Sequence, residues 1–282
     1  MVSIIICTKQ GRIPESLKSS IKDTIGVPYE LVIIDNSKNE YSIFEAYNEG
    51  IKKASYNLLC FMHEDIWYHS QDWGKSIVAH LSIPEVGLIG LAGAYYLLSL
   101  PSTWFKAKPC VMNLIQTSYK HYSIKEDTDV ICVDGFWFCS RKDVFRQVAF
   151  DEKNFRGFHF YDLDISMQIH EKGYSILVIS DITVEHFSGG SLNRQWLDSA
   201  YIFYYKWKKQ LPASLNILPK KKLFVNTKAF RDLLYVHKKN NCPVTKETLK
   251  IGWHTLKFNV LTACLLFYIK RSASAIKKKF SF

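Results

Sequence analysis

Two carboxylates and an imidazole, Glu64, Asp65 and His63, follow directly on the apolar run NLLCFM at 57–62. A segment apolar on both faces suits an interior strand of a parallel sheet covered by helices. In open α/β sheets ligands collect just outside the carboxyl ends of such strands, and charges there are costly to desolvate unless a cation or hydrogen bonds satisfy them. Asp35 ends ELVIIDNS (30–37), where a carboxylate either accepts hydrogen bonds from a nucleotide's ribose or base or closes an Asx-turn. Asp162 and Asp164 open a helical pattern in GFHFYDLDISMQIHEKGY (157–174). At i and i+2 they do not share a helix face. One can therefore point into a site and take a proton from an attacking hydroxyl, while the other caps the helix or holds the loop. Asp134 precedes Gly135 and aromatic residues in VDGFWFCSRKDVF (133–145), a pattern for a sugar-contacting loop or for a strand bend lined by core aromatics. His186, in VEHFSGGS (184–191), follows a short strand that turns Glu185 to the opposite face. With Asp65 it could bind a hard divalent cation, Mg or Mn, whose shell diphosphate oxygens would complete.

These residues need a scaffold, and the hydrophobic pattern supplies one. Strands are expected at 2–8, 30–37, 57–62 and 86–93, with helices at 14–23, 42–54 and 70–82 between them. That alternation implies right-handed crossovers and a mostly parallel sheet. Residues 94–128, with Pro101, Pro109 and many aromatics, read as an insertion loop near the site. Strand character returns at 130–141 with a bend at Gly135, followed by a helix at 161–172, a strand at 174–179 and a helix at 191–209. Beyond Leu211 the pattern is basic and helical, over about 226–239 and 245–271. A division into a domain at 1–210 and a basic helical extension at 211–282 follows.

Charge separates the same two parts. Residues 201–282 carry 18 Lys or Arg against only Asp232 and Glu247, so the net charge of +11 belongs to the tail and the rest is mildly acidic. Such a tail fits a polyanionic surface, anionic lipid or nucleic acid; no nucleic-acid-binding motif accompanies it, so no nucleic-acid partner is expected. WHTLKFNVLTACLLFYIKRSASAIKKKF (253–280) could lie in a membrane interface or pack as an ordinary helix. Its apolar run, Val260 to Ile269, is about half of the ~20 residues a bilayer span needs. The amino terminus, MVSIIICTK, has no basic region before its apolar residues and reads as a strand rather than a signal peptide. Seven cysteines with no CxxC pair, several inside strand-like runs, fit a reduced compartment. A cytoplasmic protein, with its tail at the inner face of the membrane, is the expectation. CTKQGR offers a single glycine after the first strand, which argues against an NAD-type dinucleotide fingerprint.

The opening VSIIICTK, LVIIDNS, AYNEGIKKASYNLLCFMHEDIW, VDGFWFCSRKDVF, GFHFYDLDISMQIHEKGY and VEHFSGGS, in this order, resemble the type A fold of nucleotide-sugar glycosyltransferases. The resemblance is to glycosyltransferase family two, and within it to the branch around the streptomycin-biosynthesis protein StrF; it covers about residues 1–200. It implies an α/β type A glycosyltransferase fold and an inverting, divalent-metal-assisted transfer from a nucleotide sugar to a glycan or lipid-linked acceptor hydroxyl. Asp35 would contact the nucleoside, and Thr8, Asn48, Glu64, Asp65 and Asp134 would join the donor contacts. His63, Glu64 and Asp65 stand where the family has its DxD motif, so Asp65, with His63 and the late His186, would hold Mn or Mg. Asp162 matches the Asp of the family's ED pair, the general base, and Asp164 the acidic residue two positions on. Two positions depart from the pattern: His63 replaces the first Asp of DxD, and Tyr161 the Glu of ED. Those departures also motivate an alternative, a catalytically degenerate nucleotide- or carbohydrate-binding protein on the same fold. Phe136, Trp137, Phe158 and His159 are candidates for lining the acceptor side.

Overall fold

VSIIICT forms β1 (Val2–Thr8), buried along nearly its whole length, because β-branched residues on both faces have no solvent side to present. The computed structural model describes residues 1–106, 110–116, 120–215 and 222–257. After β1 come α1 (Glu15–Thr24), β2 (Tyr29–Asp35), α2 (Ile43–Lys53), β3 (Leu58–Met62), β4 (Ile66–Tyr68), α3 (Trp73–Leu81) and β5 (Val86–Gly90). Local signals account for these boundaries. Pro14 occupies the N-cap of α1, and Ser42 and Glu45 close a reciprocal capping box on α2.

The chain packs as two compact units, Met1–Tyr95 with Pro109–Gly190, and Tyr96–Lys108 with Ser191–Phe282. Residues 96–108 and 191–210 thus group with the basic tail, a different division from one made after residue 210.

Residues 94–128, which divide between the two units, are not simply an insertion loop. After β6 (Ala92–Ala94) and β7 (Tyr96–Leu97), they include β8 (Cys110–Met112), β9 (Leu114–Gln116), β10 (Lys120–Tyr122) and the start of β11 (Thr128–Asp129). The expected strand at 130–141 divides into β12 (Cys132–Val133) and β13 (Trp137–Arg141), which pair in different sheets. Then come α4 (Lys142–Phe145), α5 (Tyr161–Glu171), β14 (Ser175–Val178) and β15 (Val184–His186). The central sheet has the order β11-β14-β5-β13-β3-β1-β2. β1, β2, β3, β5 and β14 point the same way, whereas β13 runs antiparallel between β3 and β5, and β11 antiparallel on the edge beside β14. A smaller sheet, β10-β9-β15-β4, stands at the point where β3 ends.

The 15% aromatic content has a structural destination. Phe61 and Phe138 stack across β3 and β13 with centroids 4.9 Å apart, and Tyr47 of α2, Phe150 and Tyr161 of α5 close around them. Such contacts add about 0.5–1.5 kcal/mol per pair beyond area burial. The cluster fixes the amino end of α5 against the carboxyl end of β3 and the amino-terminal half of α2.

The second unit contains α6 (Arg194–Trp207), β16 (Ala213–Ser214) paired with β7, α7 (Lys222–Lys239) and α8 (Lys246–Leu256). Asn193 and Thr245 cap α6 and α8 through their side chains. Tyr201 Oη bonds both His237 Nε2 (2.8 Å) and Thr248 Oγ1 (2.6 Å), tying the three helices by one partly buried polar network. Among the described residues no helix is long and apolar enough to cross a membrane. The remainder of the helix expected to residue 271, the run at 260–269, Cys264 and Pro109 lie outside the described residues. The other six cysteines are free thiols.

Candidate metal and base site at the carboxyl end of the sheet

The antiparallel ladder between β3 and β13 continues one step past Met62, where His63 N donates to Phe136 O (2.9 Å). The chain then leaves the central sheet through Glu64 and Asp65 and enters β4. β4 pairs antiparallel with β15, His186 opposite Ile66, and Phe187 N donates to Asp65 O (3.0 Å). Two ladders of different sheets therefore bring His63, Asp65 and His186 together, with ligand atoms within 4.8 Å of one another. His186 Nε2 lies 3.6 Å and His63 Nδ1 3.9 Å from Asp65 Oδ1. Phe136 stacks on the His186 ring at 4.7 Å, and Gln116 Nε2 donates to Ser188 O (2.7 Å), holding the strand's exit.

This donor set fits a divalent cation. Imidazoles must be neutral to ligate, and both are pushed that way. Burial and the neighbouring His186 lower His63 to about 4. Burial lowers His186 too, outweighing the upward pull of Asp65 and Asp134. Asp65 then supplies the single carboxylate of the triad.

The second half of the site is the start of α5. Phe160 adopts left-handed backbone (φ 70°) at its N-cap and turns the chain into the helix. Asp162 Oδ2 accepts from Gly135 N (3.0 Å) and Oδ1 from Leu163 N (2.9 Å). The Asp162 side chain keeps partial exposure, yet its carboxyl is raised to about 7. Burial is the main cause and the charge of Asp134 the next, against the lowering hydrogen bonds from Leu163 and Gly135. Asp134 itself accepts from Phe136 N (3.1 Å). A reachable carboxylate titrating near neutrality has the properties of a general base.

Tyr161 connects the halves. Its hydroxyl donates to Gly135 O (3.0 Å) and lies 2.8 Å from His63 Nε2. A β-carbon at Gly135 would collide with that hydroxyl, so glycine is required there by close approach.

The remaining candidates divide. Asp35 is exposed at the end of β2; Ser37 N donates to its Oδ1 (2.8 Å), and the Ser37 hydrogen bonds hold the carboxyl below its usual range. Gly11 is in left-handed backbone (φ 72°), and a β-carbon there would meet the Asp35 carboxylate at 3.4 Å. Glu64 keeps its Oε2 buried with no hydrogen-bond partner among the described residues, an acceptor in want of a donor. Thr8 is fully buried, and its hydroxyl accepts from Gln10 N and donates to Arg12 O. It shapes the turn instead of offering a ligand contact. Asn48 donates to Phe150 O (2.8 Å) and Glu152 Oε2 (2.7 Å) and accepts from Phe150 N (3.1 Å). Its amide clamps α2 to the segment before α5. Asp164 has no accessible surface and accepts from Gln168 Nε2 (2.8 Å). A carboxylate so enclosed cannot touch an acceptor, and the catalytic reading narrows to Asp162. Trp137 is likewise buried, its indole donating to Tyr68 Oη (2.8 Å), and Phe136 backs His186; of the aromatic candidates only Phe158 and His159 reach solvent. Sequence reasoning missed Gln116, for which no sequence signal exists, and the partnership of Tyr161, visible only as an odd residue in a motif.

The sequence profile of a glycosyltransferase-like family matches residues 3–207. No curated protein matches the chain in sequence. Among solved structures, GalNAc-T7 with UDP, GalNAc and Mn2+ superposes with a TM-score of 0.55 at 13% identity, over 93% of this chain and 57% of that one. TarS 1–349 of S. aureus gives 0.52 at 12% identity, over 92% and 82%. The mannosyltransferase PcManGT from Pyrobaculum calidifontis, in complex with GDP-Man and Mn2+, gives 0.51 at 13% identity, over 97% and 80%. At such identities the likeness is one of fold.

Proposed function

The chain belongs to the glycosyltransferase-like family, and from that premise we propose that it transfers a sugar from a nucleoside-diphosphate donor to an acceptor hydroxyl, with inversion at the anomeric carbon. The observation that carries this reading is the pairing, at one end of one sheet, of a His63–Asp65–His186 triad with a carboxylate poised near neutrality, Asp162. A divalent cation, Mn or Mg, held by the triad would act as Lewis acid and template for the departing diphosphate. The rest falls to the chain. Asp35 accepts from the nucleoside, and the unpartnered Oε2 of Glu64 from a donor hydroxyl or N–H. Gly135 N and Leu163 N hold the Asp162 carboxylate so that it takes the proton of the acceptor hydroxyl as that oxygen attacks the face opposite the leaving group. The alternative, a degenerate binder, drew on the departures at His63 and Tyr161. Those two residues are hydrogen-bonded to each other, which supports an altered working site over a decayed one.

Thermal-shift titration with UDP, GDP, CDP and dTDP, each with and without Mn2+ or Mg2+, tests the reading. One nucleotide should stabilise selectively and only with metal, by about 2.7 kcal/mol at a hundredfold excess over Kd. Stabilisation by none of them would overturn it.

For the acceptor we propose a glycan or lipid-linked glycan met at the inner face of an anionic membrane. Exposed Phe224 and Tyr235 on α7, and Leu249 and Trp253 on α8, lie among lysines, the composition of an interfacial surface. The full chain should co-sediment with vesicles containing phosphatidylglycerol but not with neutral phosphatidylcholine vesicles, and release as salt rises. Equal binding to both, or to neither, would remove the membrane from the proposal.

A further inference from the structure

We propose that Tyr161 is a positioning residue that selects the tautomer of His63 and so completes the triad. This inference rests on reading the triad as a metal site. A phenol has one proton and two lone pairs. Gly135 O, a carbonyl, can only accept, and Tyr161 Oη donates to it at 3.0 Å. What faces His63 Nε2 at 2.8 Å is then a lone pair. Nε2 of His63 must therefore carry the hydrogen. In a neutral imidazole that leaves Nδ1 unprotonated, and Nδ1 is the atom turned toward Asp65. The opposite tautomer would withdraw the hydrogen bond to Gly135 O and aim an N–H at the place where a cation would bind. Metal-ligating histidines are commonly fixed in this way through their second nitrogen, by a carboxylate, a carbonyl or water; here a tyrosine hydroxyl takes that part.

The same glycine does a second job. Gly135 O receives Tyr161, and Gly135 N donates to Asp162. Residues 161 and 162, neighbours at the start of α5, thus grip the C=O and the N–H of one residue, and the triad and the base share a single mechanical reference. The departures at His63 and Tyr161 form one device: an imidazole in place of a carboxylate needs its tautomer chosen, and the residue that chooses it replaces the usual Glu.

Tyr161→Phe removes one oxygen and keeps the ring in its aromatic packing. Mn2+ binding alone, read by titration calorimetry and by electron paramagnetic resonance without any sugar donor, should weaken about 10- to 100-fold. In metal-free protein with 15N-labelled histidine, His63 should show the Nε2–H tautomer in the wild type and a mixture in Tyr161→Phe. A His63→Asp background gives the control, since a carboxylate has no tautomer to select; there Tyr161→Phe should leave Mn2+ affinity unchanged. Wild-type affinity and an unchanged tautomer in Tyr161→Phe would overturn the inference, as would an equal loss in the His63→Asp background, which marks a merely structural role. None of these readouts involves turnover, so a failure of the glycosyl-transfer reading would register separately, in the nucleotide titration.

Discussion

Asp162→Asn should lower kcat/KM by about 100- to 10,000-fold, the usual worth of a positioned base, while Mn2+-dependent nucleotide binding persists. Asn has the same shape but a single oxygen, so one of the two hydrogen bonds from Gly135 N and Leu163 N is kept and the other is lost, its N–H left facing an NH2 donor. Also lost is the capacity to take a proton. The pH profile carries a second signature. The base works only when ionised, and its carboxyl is raised to about 7. Wild-type kcat/KM should therefore rise about tenfold per pH unit up to pH 7 and level off above it. Asp134→Asn removes the neighbouring charge that helps hold this carboxyl up, so the acid limb should move to lower pH, though burial keeps it above the ordinary value. Stability follows the opposite sign. Between the unfolded value of 3.8 and the folded value near 7 the native chain holds a proton that the unfolded chain has released, so this group's contribution falls as pH rises through that window. Retained turnover in Asp162→Asn, or an acid limb that Asp134→Asn leaves in place, would remove Asp162 from the base position.

Asp65→Ala should abolish the metal-dependent part of nucleotide stabilisation and cut kcat/KM by about 100-fold or more, the equivalent of several kcal/mol of lost charge stabilisation. The effect should exceed that of His186→Ala, because His63 and His186 are both held neutral and Asp65 carries the only negative charge of the triad. Chelation of the wild type should reproduce the loss. Mn2+ should restore activity better than Mg2+, since two imidazoles suit a softer ion than a wholly carboxylate site does. If Asp65→Ala keeps its Mn2+-dependent melting shift, or if chelated enzyme is fully active, the triad is not the metal site.

The predictions draw unequally on sequence and structure. The strand–helix order, the capped start of α2 and the position of His63-Glu64-Asp65 at the end of β3 were legible in the sequence, because hydrophobic period, capping and strand ends are local properties. So was the opposite facing of Glu185 and His186: Glu185 turns to His69 at 3.1 Å while His186 turns to Asp65. The strands within 94–128 escaped, since runs of two or three residues are too short to show a period. Other outcomes depended on which element covers which, and no local pattern encodes that. Polar side chains at strand and helix ends read alike in sequence whether they meet a ligand or another segment; packing turned Asn48 to Phe150, Thr8 to its own turn, and Asp164 into the interior beside Gln168. The sequence by itself determined the chemistry on hand, carboxylates and imidazoles at the carboxyl ends of buried strands, because burying such strands leaves their polar ends at the rim. Only the tertiary structure decided which of those groups meet, because the β4–β15 ladder carries His186 to Asp65, and the Gly135 backbone holds Asp162 and Tyr161, the latter bonded to His63, across distances along the chain that no periodicity spans.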